Sequence, residues 1–197
     1  MKVTVYYDYN CPFCFVGINR LAILEKEFPL EIESKGFEIH PEIPSAGIKR
    51  SKTIKFQQIF QNITEISQED GSEIKLPGII ANSRLSLEAS EFAKTKNKFN
   101  EFHKVIYQAY FQNDENIGNR DVILKAGEDA GLDVVELEDC LDRRTMHKKI
   151  EENRQEAEKN QVFGVPAFLL GNFLIHGVQS LVSFRSIINR AIERKPV

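Results

Sequence analysis

Residues 3–7, Val-Thr-Val-Tyr-Tyr, are β-branched or aromatic throughout, the pattern of a first strand buried on both faces. A polar turn, Asp8-Tyr9-Asn10, follows. From Pro12 onward, apolar residues recur at Phe15, Ile18, Leu21, Ala22, Leu24 and Phe28, the rhythm of a helix that ends before Pro29. Residues 30–39 alternate as Glu31-Ile32-Glu33 and Phe37-Glu38-Ile39 and predict a second strand. It stops at His40-Pro41, where the proline holds its predecessor extended. Strand, helix, strand in this span predicts a βαβ unit with a right-handed crossover and a parallel pair.

Residues 41–47 are rich in turn formers and mark a boundary. Beyond it the pattern is helical only. Phe56, Ile59, Phe60, Ile63 and Ile66 form one stripe, closed by Asp70-Gly71, and residues 76–80 read as a loop. Asn82-Ser83 caps a helix carrying Leu85, Leu87, Ala89, Phe92 and Ala93. Phe99, Phe102, Val105, Ile106, Ala109, Tyr110 and Phe111 form a strong further stripe. Asn119 or Asp121 caps a helix that ends at Gly131, Leu132-Asp133 opens another through Leu137 and Leu141, and the charged run 148–159 continues as a solvated helix. Strand character returns at 162–170, with Gly171-Asn172 as a hairpin turn, residues 173–176 as the partner strand, and Leu181, Phe184, Ile187, Ile188, Ala191 and Ile192 on a last helix. The pattern predicts an α/β chain: a βαβ unit (1–44) completed by a ββα unit (161–197), with an all-helical insertion over 45–160.

Composition narrows the function. The 197 residues are 42% hydrophobic and 28% charged, values of a globular chain long enough to bury a sizeable core. A formal net charge of -3 gives no electrostatic case for nucleic acid or an anionic membrane. No apolar run reaches the roughly 18 residues of a membrane span. Met1-Lys2 leads directly into the first strand with no room for a signal peptide, which points to the cytoplasm. There thiols are kept reduced, and a disulfide is more often catalytic than structural.

With three cysteines there is no disulfide scaffold, and one C-x-x-C without paired histidines supplies too few ligands for a structural zinc site. The chemistry concentrates at Cys11-Pro12-Phe13-Cys14, between the first strand and the first helix. Thiolate is the nucleophile, and the orphan N–H groups and positive dipole end of a helix N-terminus favour it. Pro12 suits the first helical position, where its missing N–H costs nothing. Cys11 then lies at the exposed helix mouth as the attacking thiol, and Cys14, one turn in, resolves the mixed disulfide.

The arrangement resembles the thioredoxin superfamily, specifically DsbA-like thiol–disulfide oxidoreductases of the FrnE-like branch. The resemblance rests on Asp8-x-x-Cys11-Pro12-x-Cys14, on Phe163-Gly164-Val165-Pro166-Ala167-Phe168, on Ala109-Tyr110-Phe111 and Ala130-Gly131-Leu132-Asp133 within the insertion, and on Gly177-Val178-Gln179. It implies a thioredoxin fold with a mixed sheet and a large helical insertion. It also implies a cis proline at Pro166 facing the cysteines, and a Val165 backbone that docks the substrate beside Pro12 and Phe13. No cofactor beyond the redox-active disulfide is implied; the partner is a thiol or disulfide, either protein or glutathione. A related branch, 2-hydroxychromene-2-carboxylate isomerases and kappa-class glutathione transferases, places serine at the first cysteine position, so a glutathione-dependent isomerase or transferase is the second reading. A partner-binding protein with an idle disulfide is the third.

Other residues have plainer readings. Cys140 has the spacing of an amphipathic helix and reads as a packed thiol. His40 and His176 read as structural, His103 and His147 as surface residues. Asp8 and Glu38 are candidates for receiving the Cys14 proton, against a turn cap and a solvated side chain. Gln179-Ser180 caps the last helix or holds a glutathione carboxylate.

Overall fold

A computed structural model describes residues 1–50 and 53–193, apart from the side chains of Lys55 and Phe56, so the Phe56 position of the predicted stripe lies outside the described residues. Strand β1 (Lys2–Tyr7) leads into helix α1 (Pro12–Leu24) and then β2 (Glu31–Gly36). Strands β5 (Ala167–Leu170) and β6 (Phe173–His176) and helix α8 (Leu181–Glu193) close the chain. These strands form one mixed sheet of order β2-β1-β5-β6, with β1 parallel to β2 and antiparallel to β5. Between β2 and β5 lie α2 (Ile54–Glu69), α3 (Arg84–Thr95), α4 (Phe99–Phe111), α5 (Arg120–Asp129), α6 (Val134–Asp142) and α7 (His147–Lys159).

The alternation of β1 sorts its side chains between two apolar layers. Val3 and Val5 pack with Leu21 and Leu24 of α1, Phe168 and Leu170 of β5, and Phe184 and Ile188 of α8. Tyr6, on the other face, packs with Ala157 of α7, Val162 and Ala167. Tyr7 enters a third cluster that joins the first turn of α1 to the helices of the insertion. The first strand is thus buried on both faces, as its composition predicts.

The observed elements depart from the sequence pattern in four places: α1 stops at Leu24 rather than running to Phe28, and three further differences follow from where backbone groups find, or lack, a partner. The second strand ends at Gly36 rather than at Ile39, since the Ile39 N–H turns to the Asp8 carboxylate at 2.8 Å. The returning strand begins at Ala167, not at 162, because Pro166 has no N–H for the ladder. The insertion is not wholly helical: β3 (Ile48–Lys49) pairs antiparallel with β4 (Ile79–Ile80), in a stretch that reads as a loop. Asn119 and Asp133 cap α5 and α6 through their side chains. Ser83 makes no cap bond; Asn82 instead accepts from the Arg84 N–H at 3.0 Å.

Helix α1 crosses β5 at Gly17, where an added Cβ would stand 2.8 Å from the Phe168 ring. That ring is fully buried and packs edge-on to Phe184, so it has nowhere to move. Gly17→Ala is therefore expected to lower unfolding free energy by about 1–3 kcal/mol in urea melts. Helix propensity alone would favour alanine by roughly 1 kcal/mol.

Candidate active site

The link between β1 and α1, Asp8 to Cys11, is four residues long and buried, so each of its polar groups must be answered from within. The Asp8 carboxylate accepts the Asn10 N–H at 3.0 Å and the Ile39 N–H at 2.8 Å, while the Asp8 carbonyl accepts the Cys11 N–H at 3.2 Å. The Asn10 side chain donates to the Ala81 carbonyl at 2.8 Å and accepts from the Tyr110 hydroxyl at 2.7 Å. The Tyr107 hydroxyl donates to the Asp8 carbonyl at 3.3 Å.

This turn sets Cys11 at the N-cap of α1 in an extended conformation, with Pro12 opening the helix. The Cys14 N–H closes the first turn onto the Cys11 carbonyl at 3.0 Å. Both cysteines are free thiols. Cys11 is only 5% exposed, a correction to the open helix mouth expected from the sequence: it shares a cluster with Tyr107 and Phe111 of α4, and Val165 packs against the same cluster. The Cys11 thiol lies 3.5 Å from the Val165 carbonyl, and the Val165–Pro166 bond is cis. Phe13, between the cysteines, is 36% exposed. The geometry brings Cys11, Pro12, Phe13, Cys14, Val165 and Pro166 into one neighbourhood from the two ends of the chain.

Residues 2–189 match the model of the family described as DSBA-like thioredoxin domain. The chain belongs to that family. The uncharacterized protein YwbO of Bacillus subtilis (strain 168) is 32% identical over 199 residues, covering 99% of each chain. Among solved structures, the chain is similar to a probable DsbA oxidoreductase, SCO1869, from Streptomyces coelicolor, at 19% identity and a TM-score of 0.91, covering 100% of this chain and 92% of that one. It is also similar to a 2-hydroxychromene-2-carboxylate isomerase, at 20% identity and a TM-score of 0.81, covering 98% and 97%. The DSBA-like thioredoxin fold expected from the sequence is the fold observed.

In this DSBA-like chain burial acts on Cys14 and on the carboxylates near it. Cys14 is fully enclosed, and burial, the adjoining Cys11 sulfur and the Asp8 charge push its thiol well above its ordinary value. Burial also raises Asp8 above the usual carboxylate range, against the N–H groups of Asn10 and Ile39. Asp8 is thus a turn cap, and one that is wholly enclosed. Glu38 is not solvated: burial raises it, Arg84 Nε donates to it at 3.0 Å, and its Oε1 is buried without a hydrogen-bond partner. Cys140 is a packed thiol beside the Thr145 hydroxyl at 2.9 Å. Among the described residues no three or more His, Cys, Asp or Glu side chains gather as a metal site.

The histidines divide differently from the sequence reading. His147 is exposed as expected, and His40 is exposed and paired with Glu42 at 3.0 Å. His103 is buried, a correction with a clear reason: the charged neighbours Glu101 and Lys104 lie on the outer side of α4, while His103 turns inward with Phe102 and Ile106. Its ring sits against Tyr7, Phe99 and Tyr107, and its Nδ1 meets the Tyr9 hydroxyl at 2.9 Å. Burial, then the Lys94 charge, lowers its pKa to about 3.

A histidine held neutral in the fold takes up its proton first in the unfolded chain. Its contribution to stability is complete above the unfolded value near 6.5 and is lost as pH falls from there toward about 3, at roughly 1.4 kcal/mol per pH unit. Asp8 and Glu38, both raised, act with the opposite sign above the ordinary carboxylate range. Urea melts between pH 4 and 6 are therefore expected to give a stability-versus-pH slope less positive by about one proton in His103→Phe than in wild type. Equal slopes would show that His103 protonates in the fold.

Proposed function

We propose that the protein is a cytoplasmic thiol–disulfide oxidoreductase that exchanges disulfides through Cys11 and Cys14. The observation that supports this most directly is the position of Cys11, at a helix N-terminus and within hydrogen-bond reach of the carbonyl that precedes a cis proline. Cys14 is the enclosed partner directly behind it. Membership of the DSBA-like family supports the same chemistry. Among the described residues no helix is long and apolar enough to cross a membrane.

In the reductive direction, the Cys11 thiolate attacks one sulfur of a substrate disulfide. The Cys11–substrate disulfide forms, and the other substrate sulfur leaves and takes a proton. The Cys14 thiol then loses its proton and attacks Cys11. The Cys11–Cys14 disulfide forms, the second substrate sulfur leaves as a thiol, and the pair is oxidised by the two electrons the substrate gains. The raised Cys14 keeps its proton until the first step is complete, which orders the two attacks. Run backwards, the sequence oxidises a dithiol. Pro12 and Phe13 form the rim beside the reacting sulfur, and the Val165–Pro166 backbone is the edge against which an extended substrate lies. The pair needs no cofactor.

A second reading takes its support from the likeness to the 2-hydroxychromene-2-carboxylate isomerase. It is glutathione-dependent isomerisation or transfer with Cys11 at the head of the helix, for which Cys14 is dispensable.

The deciding experiment is equilibration of the protein in glutathione buffers with acid quenching and mass spectrometry of trapped thiols. A Cys11–Cys14 disulfide with a potential between about −120 and −270 mV is expected. Cys11→Ser should abolish exchange, while Cys14→Ser should accumulate a mixed disulfide on Cys11. If no disulfide joins these residues anywhere in that range, exchange is excluded. Survival of glutathione-dependent turnover in Cys14→Ser would then point to the isomerase reading.

A further inference from the structure

Beside the cysteine pair lies a cavity of about 360 Å³ whose walls are Phe13, Ile66, Val165, Pro166 and Val178. Arg20 and Glu69 also line it, and Arg20 is the only cation among the described lining residues. A single basic side chain lining such a cavity would ordinarily be the group that receives a substrate carboxylate. Arg20 is not free to do so.

Its side chain is 4% exposed, and most of its N–H groups are committed. Nε donates to Asp70 Oδ2 at 2.6 Å, Nη1 to the Gln179 carbonyl at 2.7 Å, and Nη2 to the Ile66 carbonyl and Glu69 at 3.3 Å each. Asp70 is 2% exposed, so this pair is enclosed and its charges already match. Glu69 is different. Its side chain is 69% exposed, and it stands at the mouth as one negative charge more than Arg20 can balance. The donors at the start of α8 are also engaged. Gln179 Nε2 donates to the His176 carbonyl at 3.3 Å, and the Ser180 hydroxyl accepts the Ser183 N–H at 3.1 Å and donates to the Ser183 hydroxyl at 3.0 Å. Ser180 therefore caps its own helix. The cavity offers apolar walls and a negative rim.

We infer that, given the exchange activity proposed above, this cavity takes an apolar side chain of a polypeptide disulfide and turns away anionic compounds such as glutathione. Glu69 is the specificity-determining residue. The field of Glu69 acts on the partner's charge, while the apolar walls reward burial of a side chain next to the substrate cysteine.

The test uses the reduced full chain and three small disulfides of different charge. They are glutathione disulfide, whose carboxylates outnumber its amines, neutral hydroxyethyl disulfide, and cationic cystamine. Formation of the Cys11–Cys14 disulfide is followed by acid quench and mass spectrometry, and each rate is divided by that of the same compound with a free thiol in solution. Cystamine is expected to be the fastest and glutathione disulfide the slowest, by about five-fold at low salt, with the gap closing as salt screens the rim. Glu69→Gln should shrink the gap about three-fold, and Glu69→Lys should invert the order. In a paired arm, a peptide disulfide with leucine beside its cysteine should react faster than the same peptide with aspartate there. Glutathione disulfide reacting as fast as the neutral compound, or a gap that ignores Glu69, overturns the inference. Failure to react with any of the disulfides overturns the exchange reading itself, and this inference with it.

Discussion

The structure hangs on one enclosed turn. The chain leaves a strand buried from Val3 to Tyr7 and enters a helix after four buried residues, Asp8 to Cys11, whose backbone must be satisfied from within. Asp8 supplies the solution: one carboxylate oxygen serves the turn through Asn10, and the other draws in Ile39 at the exit of β2. A buried carboxylate is costly unless it is hydrogen-bonded, and these contacts are what make it tolerable. Because the partners come from different elements, the carboxylate fixes where the second strand ends as well as where the first helix begins.

The same turn couples the sheet to the helices inserted between β2 and β5. Asn10 is held by Ala81 and Tyr110, Tyr9 by His103, and the Asp8 carbonyl by Tyr107. Three of these four partners stand on α4, one side of which is built from histidine and tyrosine facing inward. That wall closes over Cys11 and Cys14 and removes water from the neighbourhood of both sulfurs. The closure explains why the outer cysteine is nearly buried although it heads a helix, and why the inner one holds its proton so firmly.

Under the proposed exchange reading, the substrate approaches along the Val165–Pro166 edge. The open sector is bounded by Phe13 and the apolar cavity beside it, while the polar groups nearby are spent on internal bonds. Arg20 illustrates the division of labour. Its position on α1 suits a surface contact, yet it is enclosed by Asp70 and two carbonyls and ties the end of α2 to the approach of α8.

Much of this was legible along the chain, for a physical reason. Strand β1, helix α1, the hairpin at Gly171-Asn172 and the amphipathic helices are local patterns, and period and turn chemistry act on neighbouring residues. The Cys11-Pro12-Phe13-Cys14 motif at the strand–helix junction belongs to the same class, since spacing alone gives its place at the head of a helix. What the tertiary structure decided is everything that depends on residues far apart in sequence. His103 sits among charges on its helix, and only the packing of α4 against Tyr7 and Tyr9 turns it inward. The Ile48–Lys49 pairing with Ile79–Ile80, the early end of β2 at Gly36 and the enclosure of Arg20 and Glu38 each rest on a partner tens of residues away. Local sequence specifies which elements form and which carries the sulfurs. The burial that holds the proton on Cys14 is a property of the assembled fold, because solvent exclusion is made by elements that the sequence places far apart.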